Sequence, residues 1–255
     1  MPLFPRYVGI DYSGAETPTS NLKGLRVYEA DRLTEPREFK PPQSSRKYWT
    51  RRGIAEWLVE QLSGEIPILV GIDHAFSFPM AYFKRNRLPH DWAAFLNDFY
   101  QHWPTDEDHI EVKSLRKGNT RTGDISELRL TETWTTAAKS VFQFGVPGQV
   151  ATSTHAGLPW LRYLRAKCPE RVHFWPFDGW DIPHGRSVIA EVYPSLWMKR
   201  FPIEGRNGDQ HAAYSVAAWM RRSDRDGWLQ GCFNPPLEPD ERTKAGIEGW
   251  IIGVL

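Results

Sequence analysis

Apolar residues recur along this chain in two rhythms. Short runs come first: "RYVGID" (6–11), an alternating stretch in "NLKGLRVYEADRL" (21–33) around Leu25, Val27 and Tyr28, and a weaker one in "EPREFKPP" (35–42). Short runs with short connections predict three antiparallel strands. A helical rhythm follows in "SSRKYWTRRGIAEWLVEQLSG", where Ile54, Trp57, Leu58 and Leu62 share a face, with Ser44 or Ser45 as N-cap and Ser63-Gly64 as the stop. "IPILVGIDHAFSFP" is then apolar almost throughout, which predicts a central strand covered on both faces.

Residues 80–186 read as an insertion. Helical spacing returns in "HDWAAFLNDFYQHW", in "TETWTTAAKSVFQF" and, after Pro159, in "PWLRYLRAK". Between the first two runs "EVKSLRKGNTRTGD" (111–124), a basic stretch with no apolar period that reads as an exposed loop. "SVIAEVYPSLW" (187–197) gives another strand, "GDQHAAYSVAAWMRR" (208–222) a helix, and the chain closes on "EGWIIGVL". This order predicts one α/β domain over 1–255, a mixed β-sheet flanked by helices, with its core from about 1–80 and 187–255 and a helical insertion at about 80–186.

Composition narrows the classes. With 255 residues the chain is long enough to bury a sizeable core. A net charge of +1 gives no global attraction to polyanions, so a nucleic-acid site has to come from local patches. The two cysteines, Cys168 and Cys232, lack any zinc or disulfide spacing. "MPLFPRYV" does not read as a secretory signal and no run approaches a membrane span, so a cytoplasmic protein with no membrane partner is expected. Twelve tryptophans, many in polar surroundings, either pack beneath loops or line a stacking surface.

The candidate chemistry is acidic. Two strands end in the same Gly-Ile-Asp step, at Asp11 and at Asp73, and the C-terminal edge of an α/β sheet is where ligands bind. If the two strands are neighbours, the like charges call for a cation or a proton between them. Glu191 stands inside an apolar strand. Asp209 heads a helix on which Ala213, Val216 and Met220 follow on the same face, toward the sheet. Four clustered carboxylates would suit Mg²⁺ or Mn²⁺, and two such ions are the usual device for cleaving phosphoesters. Each acid has a plainer reading: Asp11 and Asp73 as turn caps, Glu191 as the partner of a buried Arg or Lys, Asp209 as an N-cap. His74 reads as a packed histidine. Arg129 and Glu132, three apart on a helix, read as a surface ion pair or as a substrate contact. Lys113, Arg116, Lys117 and Arg121 read as a solvated loop or as a lid that grips phosphate.

Taken together, "GIDYSG", "GIDHAFSFP", "AEVYPS" and "GDQHAAYSVAAW" resemble the ribonuclease H-like fold, and within it a broad family of bacterial proteins, a domain of unknown function, proposed to be nucleases. "IEGWIIG" (247–253) is similar to that family's closing tail. The resemblance covers about 1–80 and 187–255. It implies Asp11, Asp73, Glu191 and Asp209 as metal ligands and catalytic residues, Mg²⁺ or Mn²⁺ as cofactor, and a nucleic acid or small phosphorylated substrate. Gln210 and His211 stand where the family often has a small residue or a second acid. Two alternatives remain: an ATP- or phosphate-binding protein of the actin-like or sugar-kinase type, to whose first phosphate loop "GIDYSGA" is also similar, and a non-catalytic binding module of the same fold.

Overall fold

The structure is a computed structural model that describes residues 3–42, 47–135, 137–145 and 150–255. In chain order its strands are β1 (Arg6–Asp11), β2 (Arg26–Asp31), β3 (Arg37–Glu38), β4 (Ile68–Asp73), β5 (Val172–Trp175) and β6 (Ser187–Glu191). The helices are α1 (Arg51–Leu62), α2 (Met80–Asn86), α3 (Trp92–His102), α4 (Val112–Arg116), α5 (Leu130–Trp134), α6 (Val150–Lys167), α7 (Gly208–Arg225), α8 (Leu229–Cys232) and α9 (Pro239–Glu248). The six strands form one mixed sheet in the order β3-β2-β1-β4-β6-β5. β1, β2 and β3 make an antiparallel meander, while β4, β6 and β5 run parallel to β1.

Strand alternation sends the two sets of side chains into two cores. Val8, Ile10, Val70, Ile72, Phe174 and Ile189 pack toward one layer with residues of α1, α3 and α6. Tyr7, Leu69, Val188 and Ala190 pack on the other side with α7 and the C-terminal tail. Helices therefore cover both faces, as the apolar run of β4 requires.

Several expected elements differ in extent. Thr50 caps α1, its side chain accepting a hydrogen bond from the Gly53 amide, and the expected caps Ser44 and Ser45 lie outside the described residues. The helical spacing of "TETWTTAAKSVFQF" is realised only in α5. The segment expected to be a purely helical insertion contains β5, an edge strand of the sheet. Helix α6 runs through Pro159 instead of starting after it. Proline lacks the N–H that would bond the carbonyl of His155 four residues earlier. The Thr105 hydroxyl donates to that carbonyl at 2.6 Å, so the helix continues without an orphaned acceptor. Nine of the twelve tryptophans are buried, so most of them pack and do not form a surface platform. Among the described residues no helix is long and apolar enough to cross a membrane.

Candidate active site

The repeated Gly-Ile-Asp step has a geometric explanation. β1 and β4 pair in parallel with Gly9 opposite Gly71, Ile10 opposite Ile72 and Asp11 opposite Asp73. Each isoleucine enters the core beside α1 and α6. Each glycine and aspartate therefore faces α7, since residues two apart share a face. The glycines let the helix come close. A Cβ at Gly9 would overlap the Ala213 carbonyl and lie 2.8 Å from the Ala217 amide nitrogen. At Gly71 it would lie 2.9 Å from Val216 Cγ1 and 2.6 Å from Val192 Cγ1. The acids follow where the glycines end, at the C-terminal edge of both strands.

Helix α7 delivers a third carboxylate to that edge. Its N-cap is Asn207, whose side chain accepts from the Gln210 amide while Gln210 answers to the Asn207 amide. Asp209 is thus in the first turn and is not the cap. It lies one turn before Ala213, on the line of residues that meets the two strand glycines. Its Oδ2 lies about where Gly24 approaches Ser13, 3.9 Å from a Cβ built on Gly24.

The electrostatics follow from this crowding. Asp11 is pushed well above the usual carboxylate range, first by desolvation and then by the charges of Asp73 and Asp209. Desolvation, with Glu191 adding to it, raises Asp73 to about 7. The two carboxyls are close enough to share a hydrogen bond. Near neutral pH the pair therefore holds a proton that two isolated aspartates would have released.

Glu191 reaches the same edge but is engaged by an arginine. Its register partner is Ile72, so it carries the phase of the isoleucines, yet at the strand ends it lines one small cavity together with Asp73, Arg129 and Glu132. There Arg129 grips it bidentately, Nη2 to Oε1 at 2.6 Å and Nη1 to Oε2 at 2.7 Å, and the Phe76 amide donates to Oε2 at 3.2 Å. Both oxygens are taken, and the plainer reading of Glu191 as the partner of a buried arginine is the one observed. Among the described residues no group of three or more His, Cys, Asp or Glu side chains converges on one metal position. The expected four-carboxylate cluster reduces to the pair Asp11 and Asp73, with Asp209 beside it.

Arg129 and Glu132 form a buried ion pair and not the surface pair expected. They are 1% and 3% exposed, and Arg129 Nε donates to Glu132 Oε1 at 2.9 Å. Arg129 Nη1 also reaches the Glu248 carbonyl at 3.2 Å. The Glu248 carboxylate accepts from the Met80 and Leu130 amides, each at 2.6 Å. The "EGWIIG" tail thus locks α2, α5 and β6 together through one buried arginine. The one local signal for this network is Glu248, a glutamate just before an apolar C-terminal run.

The basic segment is tied down as well. Arg121 clasps Asp98 through Nε at 2.8 Å and Nη2 at 2.6 Å, and donates to Asn86 at 3.0 Å. Arg116 lies 4.6 Å over the Phe144 ring, Lys113 pairs with Glu111 at 2.7 Å, and Lys117 is exposed on the surface. Arg121 is a structural clasp, while Arg116 and Lys117 keep exposed side chains. His74 is packed, as expected: its Nδ1 meets the Ala75 carbonyl at 2.9 Å, its ring lies edge-on to Tyr12, and burial lowers its pKa to about 4. A ring kept neutral and enclosed in this way is not a base for the acidic edge.

No family model, no curated protein and no solved structure matches this chain.

Proposed function

We propose that this protein is a Mg²⁺- or Mn²⁺-dependent nuclease or phosphodiesterase with a ribonuclease H-like core, and that Asp11 and Asp73 are its metal-binding and catalytic pair. The observation that carries the reading is the in-register pairing of these two desolvated aspartates at the C-terminal edge of parallel strands. Placing two carboxylates together costs stability unless something positive joins them. The donor set is all hard oxygen, which fits Mg²⁺ or Mn²⁺ and not zinc. Mg²⁺ characteristically takes one or two protein carboxylates and completes its sphere with water and substrate phosphate, so a pair suffices.

When bound, such an ion polarises a phosphoryl oxygen and lowers the pKa of a coordinated water. The protein's own contribution is to hold Asp11 and Asp73 rigidly, each fixed by its strand, and to present Asp209 from the first turn of α7. Glu191, Arg129 and Glu132 support the strand ends as a buried ion-pair network beside Asp73. Arg121 is engaged by Asp98, while Lys113, Arg116 and Lys117 stay exposed along the basic segment. The reading includes small phosphodiesters as well as nucleic acid. Both cysteines are free thiols, in keeping with a reducing cytoplasm.

The phosphate-loop alternative has less support. A Cβ at Gly14 would overlap the Thr152 carbonyl, and Arg51 donates to the carbonyls of Ser13, Ala15 and Glu16. That loop is packed against α6 and held by an arginine, with no gap at its glycine for a phosphate. The binding-module alternative relied on a tryptophan-rich surface, and most of the tryptophans are interior.

The test is hydrolysis of bis(p-nitrophenyl) phosphate and of labelled single-stranded, double-stranded and hybrid nucleic acids with Mn²⁺ or Mg²⁺. Turnover that stops with EDTA and in Asp11→Asn supports the proposal; equal turnover by wild type and Asp11→Asn overturns it.

A further inference from the structure

Asp73, Asp11 and Arg26 stand in one row across three neighbouring strands. Asp11 is opposite Asp73 on β4 and opposite Arg26 on β2. Residues in register share a face, and adjacent strands lie about 4.8 Å apart. A guanidinium is therefore the next group along the edge after the two acids.

Arg26 does not neutralise them. Its Nη1 is held instead by Glu38 Oε1 at 2.9 Å, and Glu38 Oε2 is itself held by Gln210 Nε2 at 2.9 Å. The guanidinium carbon lies 4.8 Å from the centre of the Tyr48 ring. Arg26 is only 8% exposed, and its buried Nε–H has no hydrogen-bond partner among the described residues. An orphaned charged donor at this depth is costly unless a ligand completes it.

We infer that Arg26 is a substrate-binding residue that takes an oxygen of the phosphoryl group whose other oxygens face the Asp11–Asp73 pair. This rests on the function proposed above and deepens it by giving the site a cationic contact for the anionic half of the substrate. A guanidinium suits that task because it stays charged and offers several donors in a fixed plane. Glu38 and Gln210 hold it one strand away from the acids, so it is kept from collapsing onto Asp11 and closing the site.

The experiment is calorimetric titration of the intact protein, first with MgCl₂ alone and then with inorganic phosphate in the presence and absence of Mg²⁺. It uses wild type, Arg26→Gln, Arg26→Lys and Glu38→Gln, with thermal melts to confirm folding. The inference expects Mg²⁺ affinity to be retained in all four, phosphate affinity to fall at least tenfold in Arg26→Gln, and Arg26→Lys to recover part of it. Glu38→Gln, which loosens the arginine, should bind phosphate at least as tightly as wild type. If wild type takes Mg²⁺ but Arg26→Gln and Arg26→Lys bind phosphate like wild type, Arg26 loses its role and the metal pair stands. If wild type takes no Mg²⁺, the functional reading falls and this inference with it. If Arg26→Gln does not fold, the comparison of Arg26→Lys and Glu38→Gln with wild type decides in the same way.

Discussion

Glu191 meets Arg129 in a two-point ion pair beside Asp73, whose carboxyl the glutamate helps to raise. Removing one partner of a buried pair strands the other charge, which costs roughly 3–5 kcal/mol. Arg129→Met should lose that much in urea unfolding, because it strands Glu191 and Glu132 together. Glu191→Gln should also be destabilised, yet it should bind Mn²⁺ as wild type does. Loss of metal binding in a folded Glu191→Gln protein would return Glu191 to the site.

The close approach of α7 to the sheet gives a second expectation. Gly9→Ala places a methyl group against helix backbone, which cannot swing aside as a flexible side chain can. Overpacking of this kind costs about 1–3 kcal/mol, and a clash with backbone belongs at the upper end. Because α7 also carries Asp209, the displaced helix should weaken metal affinity alongside stability. Denaturant midpoints and Mn²⁺ titration of Gly9→Ala read the two effects separately; an unchanged midpoint would show that the helix does not need this contact.

How far these features could be read from the chain depends on what a local pattern contains. The Gly-Ile-Asp step was legible because its three residues state their own geometry: isoleucine inward, glycine and aspartate outward on the opposite face. The face of α7 was legible for the same reason, since Asp209, Ala213 and Val216 are spaced within one helix. Glu191 was not, because the arginine that engages it lies 62 residues away in sequence, beyond the reach of any local pattern. β5 is a four-residue strand followed by Pro176, too short to show a period, and its identity comes from pairing with β6. The start of α6 was hidden by Pro159, whose tolerance depends on Thr105, distant in sequence. Arg26 was overlooked because its meaning lies in its neighbours across the sheet.

The acid pair also sets a pH dependence. Asp73 titrates near 7 in the folded protein, against a value near 4 when unfolded. Across that interval the folded chain holds a proton that the unfolded chain has lost. The resulting stability is fully present below about pH 4 and disappears as pH rises through about 7. His74 and His155, both lowered by burial to about 4, slope the other way below about 6.5, since their unfolded rings protonate first. The diagnostic quantity is therefore the difference in unfolding free energy between wild type and Asp73→Asn, measured in EDTA. It should turn against the wild type between pH 5 and pH 8, by at most about 1.4 kcal/mol for each unit of pKa displacement. A flat difference would mean that burial and the Glu191 charge do not raise Asp73 in the folded protein.

The same repulsion makes metal binding visible as stability, with opposite consequences for the two states of the protein. Without metal, burying two neighbouring carboxyls strains the folded state, so Asp73→Asn should melt higher than wild type. A binding site that strains the empty protein shows this trade of stability for function. Adding Mg²⁺ or Mn²⁺ should reverse the order. At a hundredfold excess over the dissociation constant, binding to the folded state alone adds about 2.7 kcal/mol, or roughly 5–10 °C in melting temperature for a chain of this size. The gain should vanish in Asp11→Asn and Asp73→Asn, shrink in Asp209→Asn, and persist in Arg121→Gln, whose guanidinium serves Asp98. Differential scanning fluorimetry with and without divalent ions reads all of these. A shift that survives Asp73→Asn would place the ion elsewhere on the molecule.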